Sequence, residues 1–538
     1  MNYNDNGNTS TAAALMVQGT ASDVGKSIVT AALCRIFKQD GWRSAPFKSQ
    51  NMSLNSYVTW DGKEIGRAQG MQADACGILA TTDMNPILLK PKKDMVSQVV
   101  VHGVPLRDYG AMEYREQFLP EAEAIVKEAL RRLRADCDIV VLEGAGSPAE
   151  INLKDRDIVN MRMAAWADAP VLLVADIDRG GVFAAIVGTL ELLEPEERTR
   201  VAGFIINKFR GDIALLKPGL DWLEQRTGKP VFGVIPYLPD IGIEDEDSLS
   251  LTRAMSEARA GSGRHLSVPA ADASEFGGAV TPGQDLLEKQ GVIDVAVLRL
   301  PRLSNFTDLD PLRQEPDVQL RYIDNSSSWG SPDVIIIPGS KNTIDDMIFL
   351  RDTGLSKRIE RHAREGGHIV GLCAGYEMLG ERLLDPEYNE SDVAELAGLG
   401  LFPFTVRFGS RKRTVRVEGK GALPGWGQEV PVKGYEIHTG VIQTASRLKQ
   451  PFLLGADGIP EGVCSEDGKI WGTFIHGVLH NDAFRRAWLN RIRNDKGWAA
   501  LPQGREFQAM REEAFDRLAA HVRQHVDMKR IYTLLYMS

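Results

Sequence analysis

The stretch Ala14-Leu-Met-Val-Gln-Gly-Thr-Ala-Ser-Asp-Val-Gly-Lys-Ser27 runs from an apolar segment into a glycine-bearing loop, and the apolar segment Ile28–Phe37 follows directly. That order reads as a strand, a phosphate loop and a helix, because the free N–H groups at a helix start cradle phosphate. Gly25 lets the backbone come close, Lys26 is placed to reach terminal phosphates, and the Ser27 hydroxyl is placed to ligate Mg²⁺. The usual loop has a glycine five residues before Gly25; here Thr20 holds that position and Gly19 precedes it. A bare Gly-Lys-Ser arises by chance, but its seat between an apolar strand and an apolar helix argues for an ATP site that includes Thr20.

Outward from this loop, the runs Ile139–Leu142, Val171–Ala175, Gly203–Ile206 and Val231–Ile235 are short and apolar, and end in glycine, asparagine or charge. They predict a parallel sheet with helices on both faces, an α/β fold. Sites in such sheets lie at the carboxyl ends of the strands. Glu143, opening Glu-Gly-Ala-Gly-Ser-Pro-Ala-Glu-Ile-Asn152, is therefore the expected Mg²⁺ carboxylate. Asp176 and Asp178 follow the next run; Asp178 reads as a helix cap or a solvated loop residue. Asn207, with Lys208 after it, is expected at the nucleotide base.

Around Ser256–Gln284 the pattern dissolves into Ala, Gly, Ser and Pro, which reads as a linker. A second strand series then begins: Val292–Leu298, Val334–Ile337, His368–Leu372 and Trp471–Ile475. The third of these enters Gly371-Leu-Cys-Ala-Gly375, a turn of small residues before a helix. A cysteine on such an elbow projects from the sheet edge, so Cys373 is the expected nucleophile and the Ala374 N–H an oxyanion donor. The Gly339 backbone, after Val334–Ile337, is placed to supply the second donor. His476, in Thr473-Phe-Ile-His-Gly477, is the expected base, with His438 as its rival. From about Arg485 the chain turns helical, and Phe507, Met510, Phe515, Leu518, Val522 and Val526 form a stripe that docks on the body. The expected domains are 1–255, which carries the phosphate loop, 256–290 (linker), 291–485, which carries the Cys373 elbow, and 486–538 (helical tail).

A net charge of −10 argues against nucleic acid or an anionic membrane as partner. Five cysteines without a C-x-x-C pair suit a reducing cytosol and no zinc site. No run approaches the length of a membrane span, and the polar first eleven residues read as a loose tail rather than a signal peptide. The expected location is cytoplasmic.

Cys373, the glycines around it and His476 resemble a class I glutamine amidotransferase domain. That family carries a carboxylate two residues after the histidine; Val478 stands there, which leaves either a dyad or an orienting acid from elsewhere. The displaced glycine of the first loop resembles dethiobiotin synthetase. Such an ATPase joined to a glutaminase lacking the acid resembles the cobalamin-biosynthesis amidotransferase family. Within it, Ala45–Ser56, Glu64–Gln69, Asn85–Pro91, Glu143–Leu153 and Asp176–Gly181 resemble the branch that forms cobyric acid. The resemblance implies ATP- and glutamine-dependent amidation of the b, d, e and g carboxylates of adenosylcobyrinic acid a,c-diamide. Lys48, Arg67 and Arg179 are then candidate clamps for the corrinoid carboxylates. A ligase acting on a different carboxylate, such as the a,c-diamide-forming relative or a cell-wall glutamate amidase, would keep both sites and change the clamps. A regulatory switch would keep only the nucleotide loop.

Overall fold

The computed structural model describes residues 12–93, 95–244, 291–445 and 448–536; the expected linker lies outside them. The chain forms two compact units, one of Met1–Glu246 with Ala509–Ser538 and one of Asp247–Gln508. The helical tail expected over 486–538 is therefore divided. Helix Asp482–Asp495 belongs to the second unit, whereas most of Phe507–His525 and all of Met528–Tyr536 belong to the first.

In the first unit a six-stranded sheet has the order Val231–Pro236, Val201–Phe209, Val171–Asp176, Ala13–Gly19, Ile139–Glu143, Ser44–Phe47. Every pairing is parallel. Strand alternation explains the two cores: Ala14 and Met16 face one, Leu15 and Val17 the other. With both faces covered, these strands read as unbroken apolar runs. The terminal helices cover one face, since Phe515, Leu518, Ala519 and Val522 are buried with Leu15, Val17 and the helix Lys26–Gln39. Each large apolar side chain buried there contributes about 1.5–3 kcal/mol, which is why the expected stripe docks.

The second unit repeats the principle with the order Val318–Ile323, Ile293–Leu298, Val334–Ile337, His368–Leu372, Ile470–Thr473, Val463–Cys464, parallel except for the last pair. A long antiparallel ribbon, Thr405–Gly421 with Val430–Gln443, adds a further sheet. Among the described residues no helix is long and apolar enough to cross a membrane.

Candidate active site

The strand His368–Leu372 ends at Cys373, whose backbone takes φ 52° and ψ −109°, an unusual conformation for a residue with a side chain. The flanking glycines make the bend possible. A Cβ on Gly375 would lie 1.8 Å from the Ile337 carbonyl oxygen, and one on Gly371 would lie 2.7 Å from that of Gly375. Ala374 then opens a short helix, Ala374–Met378, as the elbow reading expects. Cys373 Sγ lies 3.7 Å from the Ile437 carbonyl oxygen on the ribbon.

His476 follows the neighbouring strand Ile470–Thr473 and lies close enough to Cys373 for their charges to interact, while Asn305 Nδ2 stands 3.3 Å from its Nε2. Its Nδ1–H donates to Asp308 Oδ2 at 2.6 Å, and the Gly477 N–H donates to Asp308 Oδ1 at 2.9 Å. Asp308 lies in the helical turn Phe306–Leu309, beyond the end of strand Ile293–Leu298. Val478 is itself buried in the core, and the carboxylate beside His476 is that of Asp308. The strand-end rule would have reached Asp308 had it been applied to Ile293–Leu298 as well.

The three groups are 7%, 1% and 4% exposed for Cys373, His476 and Asp308, so their charges act with little water between them. Burial alone would depress the His476 pKa, but the charges of Asp308 and Cys373 outweigh it and raise it to about 10. Burial also opposes the Asp308 carboxylate, yet the imidazolium holds its pKa below the usual range. The Tyr435 ring stacks on His476 at 5.1 Å, and backbone bonds of 2.8 and 3.1 Å join the two residues. Gly339 borders the site, since a Cβ there would lie 3.3 Å from His476 Cε1. His438 is turned elsewhere: it stacks on Phe474 at 3.7 Å and bonds the Gly440 oxygen at 2.8 Å.

Sequence reading missed Glu377, one helical turn beyond the nucleophile. It accepts from Thr343 Oγ1 at 2.6 Å, and its Oε1 lies against Gly440 of the ribbon, where a Cβ would come within 2.2 Å. Burial, and then the charge of Glu390, raise its pKa to about 8.

In the first unit the loop is built as expected, with the tight glycine moved. A Cβ on Gly19 would lie 2.6 Å from Val24 Cγ2 and 2.9 Å from the Ala21 oxygen, and one on Gly25 would lie 2.3 Å from Asn207 Nδ2. Gly25 also takes φ 96°, which favours glycine. Thr20 joins the loop to the next strand through its N–H and the Val174 oxygen at 3.0 Å. Lys26 Nζ donates to the carbonyls of Ala21 and Gly146 at 2.9 and 3.0 Å. Asn207 Nδ2 donates to the Val24 oxygen at 2.9 Å, bracing the loop from beneath.

Glu143 is 1% exposed and surrounded by donors. Its Oε1 accepts from Ser27 Oγ at 2.8 Å and from Lys48 Nζ at 2.9 Å, while Gln72 Nε2 donates to Oε2 at 2.6 Å. Burial raises its pKa, but Lys48 and these hydrogen bonds outweigh burial and hold it low. A paired carboxylate and hydroxyl beside a phosphate loop are hard oxygen donors that fit Mg²⁺.

The three candidate clamps all meet carboxylates of the protein. Lys48 meets Glu143; Arg67 meets Glu244 at 3.0 Å; Arg179, 44% exposed at its side chain, meets Asp23 and Asp176 at 3.3 and 3.5 Å. Asp176 also pairs with Lys208 at 2.9 Å, and Asp178 with Arg210 at 3.1 Å.

Known proteins match this two-site organisation unit by unit. A family model described as the CobQ/CobB/MinD/ParA nucleotide binding domain matches residues 15–251, and one described as the CobB/CobQ-like glutamine amidotransferase domain matches 294–484. The cobyric acid synthase of Geobacillus kaustophilus (strain HTA426) is 51% identical over 523 residues, covering 97% of each chain. That of Desulforamulus reducens is 49% identical over 533 residues, covering 97% of this chain and 98% of its own. That of Dehalococcoides mccartyi (strain CBDB1) is 46% identical over 531 residues, with the same coverage. Such identity, sustained across both units and nearly end to end, means that the chain belongs to the cobyric acid synthase family.

Proposed function

We propose that this chain amidates the b, d, e and g side-chain carboxylates of adenosylcobyrinic acid a,c-diamide, using ATP and ammonia released from glutamine. The carrying observation is the pairing, in one chain of this family, of a Cys373–His476–Asp308 triad with a phosphate loop. The relatives' shared name, cobyric acid synthase, supports this corrinoid over other carboxylates.

In the glutaminase unit, Cys373 Sγ, its proton already held by His476, attacks the side-chain carbonyl of glutamine, and His476 gives that proton to the nitrogen that departs as ammonia. The N–H groups of Ala374 and Gly339 are assigned to the developing oxyanion. Water, deprotonated by His476, then cleaves the thioester and releases glutamate. Asp308 keeps the Nδ1 proton in place, so Nε2 performs each transfer.

In the ligase unit, a carboxylate is a poor electrophile, and phosphorylation supplies the leaving group that ammonia displaces. Lys26 is assigned to the phosphates of ATP, and Ser27 and Glu143 to a Mg²⁺ ion. Bound there, the ion neutralises phosphate charge. Thr20 and Gly25 shape the loop around the phosphates, and Asn207 supports it from below. Because Lys48, Arg67 and Arg179 already meet protein carboxylates, a clamp role requires each to change partner. Mass spectrometry of the diamide incubated with glutamine and ATP tests the reading. Four successive amidations are expected, and an unchanged corrinoid mass alongside active glutamine hydrolysis would favour a different carboxylate.

A further inference from the structure

We propose that Lys48 is a counter-ion exchanged for the metal: its ammonium holds Glu143 until a divalent cation takes its place. The inference rests on the assignment of Glu143 and Ser27 to Mg²⁺ above. The decisive geometry is at a single atom. Glu143 Oε1 accepts from both Ser27 Oγ and Lys48 Nζ, at 2.8 and 2.9 Å. A metal bound by the carboxylate and the Ser27 hydroxyl would use the same oxygen, so Lys48 occupies the cation's side of Glu143.

Burial makes some cation obligatory. Glu143 is 1% exposed and Lys48 5%, and an ionised carboxylate so deep needs a compensating charge. Lysine meets that need when no metal is bound. A hard dication held by the same oxygen would meet it better and would repel the ammonium already there. Both charges beside one carboxylate oxygen would leave an excess of positive charge in a dry site. Lys48 must therefore swing away as metal arrives.

The bonds on either side hold the carboxylate and the lysine backbone, so the exchange falls to the lysine side chain. Gln72 Nε2 holds Oε2 at 2.6 Å, so Glu143 keeps its orientation while Oε1 changes partner. The Lys48 backbone is fastened on both sides: its N–H donates to the Met84 oxygen at 2.9 Å, and Asn85 Nδ2 donates to its carbonyl at 3.0 Å. Only the four-carbon stem is left to move. Lys26 donates to the loop carbonyls of Ala21 and Gly146. The displaced ammonium becomes available to anionic groups in the site only when metal is present, which ties phosphate-site charge to metal loading.

Removing the lysine should therefore tighten metal binding, the opposite of what loss of a supporting residue does. The experiment titrates Mg²⁺ into the full-length wild type, Lys48→Gln and Glu143→Gln, with and without ADP, by calorimetry and thermal melting. Neither corrinoid nor glutamine is needed. Lys48→Gln should bind Mg²⁺ at least about ten-fold tighter than wild type and should be stabilised thermally by Mg²⁺ alone, which the wild type is not. Equal or weaker Mg²⁺ affinity in Lys48→Gln would overturn the exchange. Should that variant be recovered unfolded, refolding with Mg²⁺ decides: restoration of the fold supports the exchange, and failure overturns it. Glu143→Gln separates the two levels of the argument. If it leaves Mg²⁺–ADP binding at the wild-type level, the metal assignment itself fails and the exchange with it. If it weakens that binding while Lys48→Gln fails to tighten it, only the exchange fails.

Discussion

The two sites of this chain are prepared in opposite ways. In the glutaminase unit the groups assigned to the reaction are already gathered: Asp308 holds His476, whose charge interacts with that of Cys373 on its bent elbow. In the ligase unit the cationic groups are spent on the protein itself, Lys26 on loop carbonyls and Lys48 on Glu143. Covalent catalysis gains from a nucleophile and base held in place before substrate arrives. A site for a highly charged nucleotide cannot leave its cations and anions bare in a buried edge, so it pairs them internally and must exchange partners on binding. The first site is ready, and the second is closed on itself.

The sharpest way to break this contrast is to remove the nucleophile. Cys373→Ala should lower glutamine-driven amidation on the order of 10⁴-fold or more while ammonium-driven amidation continues. Retained use of glutamine would show that another group attacks. Next, Lys26→Ala should reduce amidation on the order of 10³-fold with either nitrogen donor, since neither reacts with an unactivated carboxylate. Normal ammonium-driven product, scored by mass, would remove the phosphate loop from the mechanism.

Asp308→Asn sharpens the comparison because it tests whether preassembly itself matters. Glutamine hydrolysis should fall about 10²–10⁴-fold. The His476 pKa of about 10 should also drop toward the ordinary imidazole value. His476 must be protonated to hand a proton to departing ammonia, so the alkaline limb of the rate profile should move to lower pH in the variant. An unshifted limb would mean that Asp308 does not set the imidazole charge. His438→Asn, by contrast, should cost glutamine hydrolysis less than about ten-fold, within the range of a packing change.

Glu377→Gln should have the smallest effect. With its pKa at about 8, the carboxyl is largely protonated at neutral pH, and an amide of nearly the same shape replaces it. A stability change under about 1 kcal/mol is expected in denaturant melts at pH 7. A much larger loss would show that Glu377 works as a carboxylate.

Much of this was legible in the order of residues. Apolar runs of strand length ending in glycine or charge announced the two parallel sheets, and the strand-end rule located Glu143, Asn207, Cys373 and His476. The bend at Cys373 could be read from its small neighbours, because local crowding demands them wherever the backbone turns so sharply. The displaced glycine was also readable, and the structure gives its reason in the closeness of Gly19 to the Val24 side chain and the Ala21 carbonyl.

The pairing of charges was not legible. Asp308 and His476 are 168 positions apart, and Lys48 and Glu143 are 95 apart. Nothing in the local pattern around Lys48 distinguishes a substrate clamp from a counter-ion. The division of the terminal helices was hidden for the same reason, since an apolar stripe shows that a helix docks but not on which core. By itself the sequence determined the elements, the turn chemistry and the residues able to react, because period, sterics and hydrogen-bonding capacity act between near neighbours. Which acid orients which base, and which cation guards which carboxylate, was decided only by the tertiary structure. Strand order in the sheet brings distant strand ends side by side, and burial then forces whatever charges meet there to pair.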